Sequence, residues 1–205
     1  MSLNYISKLK TGLYFGSFNP VHIGHMAIAG YMKEFTDLDQ VWFIVSPLNP
    51  LKKKESLLAD HHRLYLVELA IGDDYSFRAS DIEFRMPCPS YTIDTLARLT
   101  ESHPEKSFVL VMGEDNLYTL HKWKNAIEIV KKHSLYVYPR PGITKKSNPV
   151  LEKIVSIADI RQVKAPLMDI SGSFIRKGIK QGKNMSYFLN PSVWKYIVDM
   201  HFYEQ

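Results

Sequence analysis

Leu13-Tyr14-Phe15-Gly16-Ser17-Phe18-Asn19-Pro20-Val21-His22-Ile23-Gly24-His25 is the stretch that decides the fold. The apolar run Leu13–Phe15 breaks at once into Gly16–Pro20, the pattern of a buried strand leaving a sheet through a tight loop. From Ile23 the spacing changes. Met26, Ile28, Ala29, Met32 and Phe35 recur as the apolar face of a helix, and Asp37 and Asp39 fall in the turn that follows.

Outward from this unit the same alternation repeats. Val41–Val45, Phe108–Met112 and Leu135–Tyr138 are solid apolar runs, as expected of strands covered on both faces, and Ile160–Val163 is a fifth candidate. Phe77–Phe84 is expected to be extended. Helices are expected over His61–Ala70, capped by Asp60 and facing inward through Leu64, Val67, Leu69 and Ile71, then over Thr92–Leu99 and Ala126–Lys132. Two more are expected in the tail, at Phe174–Lys180 and Ser192–Met200, the latter with Pro191 near its first turn. Lys145–Pro149 reads as a mobile loop. Alternating strands and helices predict an α/β protein with a doubly wound, Rossmann-like, mostly parallel sheet and helices on both faces. A single domain is expected over 1–205, with a C-terminal helical segment from about 171 to 205.

Composition sets bounds on function. The 205 residues are 45% apolar and 12% aromatic, ample for a packed core and unlike a disordered chain. The formal charge of +5 favours anionic partners without choosing among them. One cysteine, Cys88, excludes an internal disulfide framework and fits a reducing compartment. No basic-then-apolar signal pattern opens the sequence, and apolar runs such as Val41–Val45 are far too short to cross a bilayer. A cytoplasmic protein with no membrane partner is the expectation.

In a doubly wound sheet, ligands bind beyond the carboxyl ends of the strands, where Gly16–His25 is delivered. Gly16 and Ser17 allow close backbone approach, and the amides of the following helix opening point outward. His22 and His25, three apart, share one face at the positive end of that helix. Amides, dipole and two imidazoles suit a chain of phosphates. Each histidine alone reads as a polar surface residue. The pair could instead bind a metal, but no third ligand stands nearby in sequence. The combination G-x-F-x-P-x-H-x-G-H arises by chance on the order of 10⁻⁸ per start site from average residue usage.

This string resembles the HxGH nucleotidyltransferases, and the rest of the chain resembles the bacterial nicotinate (nicotinamide) mononucleotide adenylyltransferases among them. Ser46–Lys53 stands where that family has a proline-rich basic loop. Tyr91–Leu96, Gly113–Leu117 with Trp123, Arg140-Pro141-Gly142 and Ile170–Arg176 are similar to its further motifs. Five positions depart from the pattern: Asn19 for an aspartate, Leu51 for a proline, Lys52 for a histidine, Gly172 for a serine and Ser173 for a threonine. The resemblance implies ATP and nicotinate mononucleotide as partners, with Mg²⁺ carried on ATP and no protein-bound metal. It implies His22, His25, Arg176 and Lys52 as catalytic groups. Gly16, Ser17, Phe18, Gly113, Asp115, Ser171, Ser173, Phe174 and Ile175 would join the histidines and Arg176 on ATP. Ser17, Phe18, Asn49, Lys52, Lys53, Tyr91, Thr92, Trp123 and Arg140 would contact the mononucleotide. For Asp115 a helix N-cap is an equal alternative, for Trp123 a core position, and for Lys52–Lys54 a solvated run.

Three alternatives stay open at this level: the same chemistry on nicotinamide mononucleotide or on both mononucleotides, a non-catalytic nucleotide or nucleic-acid binder, and a homo-oligomer. The intact histidine pair with Arg176 disfavours a nucleic-acid partner.

Overall fold

The computed structural model describes residues 8–47, 57–143 and 148–204. The chain runs β1 (Leu9–Gly16), α1 (Ile23–Phe35), β2 (Gln40–Val45), α2 (Asp60–Ile71), β3 (Phe77–Ser80), α3 (Thr92–Ser102), β4 (Lys106–Gly113) and α4 (Glu114–Thr119). It continues through α5 (Ala126–Lys132), β5 (Leu135–Tyr138), α6 (Pro149–Val155), β6 (Ile160–Gln162), α7 (Gly172–Lys180) and α8 (Pro191–Asp199). The six strands lie in the order β3-β2-β1-β4-β5-β6, and all neighbouring pairs are parallel. Strand order therefore reverses between β1 and β4, and the loops leaving these two strands diverge to form a crevice there.

The apolar runs are continuous because each strand feeds two cores. Leu13, Trp42, Ile44, Leu110 and Val137 pack against one helical layer that includes Leu96 and Leu99 of α3, Ile129 of α5 and Ile154 of α6. Tyr14, Val41, Phe43, Val111 and Tyr138 pack against the other, which includes Met32 of α1, Leu66 of α2, Ile175 of α7 and Ile197 of α8. Close contact extends to the backbone. A Cβ on Gly12 would stand 2.7 Å from the end of the Leu38 side chain, so a larger residue in this strand would have to displace it.

Several local expectations are corrected. Only Phe77–Ser80 is a strand, and Ile82–Arg85 turns into a 3₁₀ helix that buries the Glu83 carboxylate. Ser90 Oγ and Thr95 Oγ1 donate to Glu83 at 3.0 and 2.7 Å, which ties this turn to the start of α3. Of the expected loop at 145–149, residues 145–147 lie outside the described residues. Asn148 caps α6 by accepting from the amides of Val150 and Leu151, and Pro149 opens that helix. Asp60 is not the cap of α2 but its first residue, with Ala59 in the cap position.

The inner face of α2 is also rotated from the expected one. Arg63, Leu66, Val67 and Ala70 are buried, while Leu64, Leu69 and Ile71 are only half-buried. Arg63 is wholly enclosed at 0% exposure. Its Nε donates to Leu58 O at 3.0 Å, and Nη1 donates to Ser17 O at 2.6 Å and Ser46 O at 2.8 Å. Nη2 donates to Pro47 O at 3.4 Å and Asp60 Oδ1 at 2.6 Å. A guanidinium has five N–H donors, and each finds an acceptor. This explains why a charged residue faces the core: the loops after β1 and β2 leave carbonyls that no strand satisfies, and a planar fork reaches them together.

Arg63→Met is expected to strand those carbonyls and cost about 3–5 kcal/mol of stability, with Arg63→Lys losing less, as measured by urea denaturation. A loss below about 1 kcal/mol in Arg63→Met would contradict this role.

Candidate functional site

The loop Gly16–Pro20 leaves β1 at the point of strand-order reversal. Phe18 takes a left-handed backbone conformation, φ 43°, which turns its ring down into the core. That ring meets Phe43, His25 and Tyr14 edge-on at centroid distances of 5.4, 5.1 and 5.8 Å. A Cβ on Gly16 would stand 2.8 Å from the same ring. With its ring buried, Phe18 faces the crevice through its backbone.

The buried ring supports the histidine pair. His22 precedes α1, His25 sits in its first turn, and the two imidazoles stack at 3.7 Å. His25 Nδ1 accepts from the His22 amide at 3.3 Å, so a neutral His25 carries its proton on Nε2. His22 is 5% exposed, and its buried Nδ1 has no hydrogen-bond partner. Burial, reinforced by the nearby Arg140 guanidinium, lowers its pKa to about 4. A Cβ on Gly24 would lie 3.1 Å from that nitrogen, so glycine keeps the approach to it open.

The second helix opening arrives at the same place. Ser171 caps α7, its hydroxyl accepting from the Phe174 amide at 3.2 Å. Arg176 Nη1 donates to Asn19 O at 2.7 Å, and Nη2 donates to Ser173 Oγ at 3.3 Å. A Cβ on Gly172 would come 2.6 Å from Asn19 O, which accounts for glycine where similar sequences have serine. Ile175, expected on ATP, has a fully buried side chain, and its amide donates to Ser171 O at 3.1 Å. The Phe174 ring is half-exposed and packs edge-on to Phe188 at 5.1 Å.

Facing the histidines across the crevice are residues from the ends of β4 and β5. Tyr14 and Tyr138 share a buried hydroxyl contact of 3.3 Å, and burial pushes both pKa values up, so both stay protonated at neutral pH. Arg140 follows β5 and joins His22, His25, Tyr138, Met168 and Ile170 around one small cavity. Its Nε lies 3.5 Å from Asp115 Oδ1. Asp115 is the second residue of α4, whose cap position belongs to Gly113, so the N-cap alternative fails. A Cβ on Gly113 would stand 2.4 Å from that carboxylate. A second, more open cavity adjoins at the ends of β5 and β6, lined by Glu114, Pro139, Gln162, Lys164, Ala165 and Leu167 among others. Sequence reasoning did not find it, because a two-residue extension of backbone such as Val163-Lys164 carries no motif.

Tyr91, Thr92 and Trp123 form a separate neighbourhood on the opposite face of the sheet. Tyr91 and Thr92 open α3, and Trp123 is half-buried against the same core that receives Phe15. Lys124 links them, with Nζ 4.7 Å above the Tyr91 ring and 2.9 Å from Asp94 Oδ2. None of the three lines the cavity of the histidine pair. Arg140, grouped with them in the sequence analysis, stands instead with the histidines. Asn49, Lys52 and Lys53 lie outside the described residues. Among the described residues, no three His, Cys, Asp or Glu side chains cluster as they would around a metal ion, and no helix is long and apolar enough to cross a membrane.

A doubly wound sheet whose reversal point gathers two helix openings, two imidazoles and two guanidinium groups defines a protein that handles phosphate esters. The family described as "Cytidylyltransferase-like" matches residues 13–178. A probable nicotinate-nucleotide adenylyltransferase of Flavobacterium psychrophilum is 50% identical over 96% of this chain and 100% of its own length. One of Bacteroides thetaiotaomicron is 46% identical over 93% and 92%. Among solved structures, the Plasmodium falciparum nicotinic acid mononucleotide adenylyltransferase complexed with NaAD superposes with a TM-score of 0.78, covering 95% of this chain and 97% of that one. At 19% identity it speaks for the fold alone. The chain belongs to the cytidylyltransferase-like family and, within it, to the nicotinate-nucleotide adenylyltransferases.

The buried His22 carries a consequence for pH. Its folded pKa, about 4, lies below the ordinary 6.5, so the unfolded chain takes up the proton first. Its contribution to stability is complete above pH 6.5 and is lost as pH falls toward 4, on the order of 3 kcal/mol over that window. His22→Gln is expected to flatten the acid limb of a stability–pH curve by most of this amount. An unchanged slope between pH 6.5 and 4 would show that His22 is not the group responsible.

Proposed function

We propose that the protein transfers the AMP moiety of ATP to the 5′-phosphate of nicotinate mononucleotide, a step in NAD biosynthesis carried out in the cytoplasm. A phosphate oxygen of the mononucleotide attacks the α-phosphorus of ATP, and the bond between the α-phosphorus and its bridging oxygen to the β-phosphorus breaks. Pyrophosphate leaves and deamido-NAD is formed. The convergence of the two helix openings on Asn19, with His22 and His25 on one and Arg176 on the other, is the observation that carries this reading.

The nucleophile needs no strong base, because a phosphate monoester with a second pKa of about 6 is largely ionised at neutral pH. The barrier is charge: two anions must meet, and negative charge grows on the leaving group. His22, neutral at this pH, and His25, through Nε2, donate hydrogen bonds to the α- and β-phosphate oxygens. Arg176 clamps the β- and γ-phosphates with its planar fork, with Ser173 Oγ beside it. Mg²⁺ carried on ATP would offset charge on the triphosphate, and no described residue is assigned to hold it. The Asp115 carboxylate, steadied by Arg140, suits the adenosine ribose, and the cavity at the ends of β5 and β6 suits adenine. Ser17, Tyr91, Thr92 and Trp123 form the pyridine side, with Trp123 as the ring platform. Asn49, Lys52 and Lys53 are assigned to the mononucleotide from the sequence.

A carboxylate on the pyridine ring favours backbone N–H donors, whereas an amide needs an acceptor as well. Pyrophosphate release measured with ATP, Mg²⁺ and each mononucleotide in turn is expected to give the higher kcat/KM for the nicotinate form. A binding-only protein would release none with either.

His25→Ala is expected to slow turnover by roughly 10²–10⁴-fold with the fold intact, and near-normal turnover in that variant would remove His25 from the chemistry. Arg176→Lys is expected to lower kcat by at least about 10-fold, because a point charge does not replace a bidentate fork.

A further inference from the structure

Beyond α8 the chain folds into a hook. The amides of Met200, His201 and Phe202 return to Tyr196 O, Val198 O and Ile197 O at 3.1, 3.1 and 3.0 Å. His201 and Tyr203 both adopt left-handed backbone conformations, φ 53° and 68°, which non-glycine residues take only where the surroundings hold them. Phe202 anchors the hook on α2, its ring 4.8 Å from His62.

The hook ends at the phosphate loop. Tyr203 Oη donates to Asn19 Oδ1 at 2.7 Å, across 184 residues of sequence. The same oxygen accepts the Leu58 amide at 3.2 Å. The main-chain carbonyl of Asn19 is the acceptor for Arg176 Nη1. Burial pushes the Tyr203 pKa up, so the phenol remains a donor throughout the neutral range. A buried phenol needs an acceptor wherever it lies, so the informative fact is which acceptor this one finds. This one places its only polar atom on the residue that orients the phosphate-facing arginine.

We infer that Tyr203 is a positioning residue for nucleotidyl transfer: its hydroxyl fixes Asn19, and Asn19 in turn holds the Arg176 guanidinium toward the phosphates. The inference rests on the reading of Arg176 as the phosphate clamp. It adds the C-terminal hook to the working parts of the site, and it gives Asn19 a reason to be an acceptor rather than any small loop residue.

The test is a double-mutant cycle on the full chain with Tyr203→Phe, Arg176→Lys and the combined variant, reading kcat and KM in the pyrophosphate-release assay and melting temperature alongside. Tyr203→Phe removes one oxygen and keeps the ring. It is expected to lower kcat about 5–20-fold while the KM for the mononucleotide changes less than about 2-fold. In the Arg176→Lys background the same change is expected to cost less than about 2-fold further, because its route of action is already gone. A Tyr203→Phe protein that melts earlier but turns over normally overturns the inference, and so do effects that multiply in the combined variant. If Arg176→Lys itself turns over normally, the clamp reading fails and the hook's role fails with it. If Arg176→Lys is slow and Tyr203→Phe is not, only the role of the hook is lost.

Discussion

The buried guanidinium of Arg63 is the constraint on which the site depends. In a parallel sheet every strand ends at the same edge, and the segments that leave β1 and β2 have carbonyls that the ladder no longer satisfies. Arg63 gathers those of Ser17, Ser46, Pro47 and Leu58 on one side chain, with Asp60 balancing its charge. A lysine offers three donors from a single point and cannot span the same set. A helix on one face of the sheet thereby dictates where two loops at its edge must lie.

From there the order passes outward by contact. Ser17 is held from below, Phe18 is driven into the core by its left-handed turn, and the ring of Phe18 becomes the floor beneath His25. Asn19 then faces both ways, its side chain toward Leu58 and the C-terminal hook and its carbonyl toward Arg176. The result is an edge rich in donors whose buried imidazole is neutral at physiological pH. Such an edge can hold polyanions without charging a group that burial has already made costly to protonate.

Two of the departures from the family pattern, Gly172 and Asn19, fit this packing. Gly172 is required because the Asn19 carbonyl occupies the space a side chain would take, so the missing hydroxyl is the cost of bringing α7 onto the loop. Asn19 keeps the acceptor oxygen that an aspartate would offer to Tyr203 and Leu58.

Much was legible in the residues themselves. Continuous apolar runs revealed four of the buried strands, since only a strand covered on both faces can be apolar at every position. The string from Gly16 to His25 and the segment Ile170–Arg176 marked two helix openings, because amide donors, small residues and cations at fixed spacing are a local property. Tertiary structure alone decided the rest. Nothing local marks Arg63 or Glu83 for burial until remote carbonyls and hydroxyls close around them, the Phe18 ring turns inward only with its left-handed backbone, and Tyr203 meets Asn19 across 184 residues. Local spacing determines what a segment can offer, whereas burial and pairing depend on which remote segments come to satisfy it.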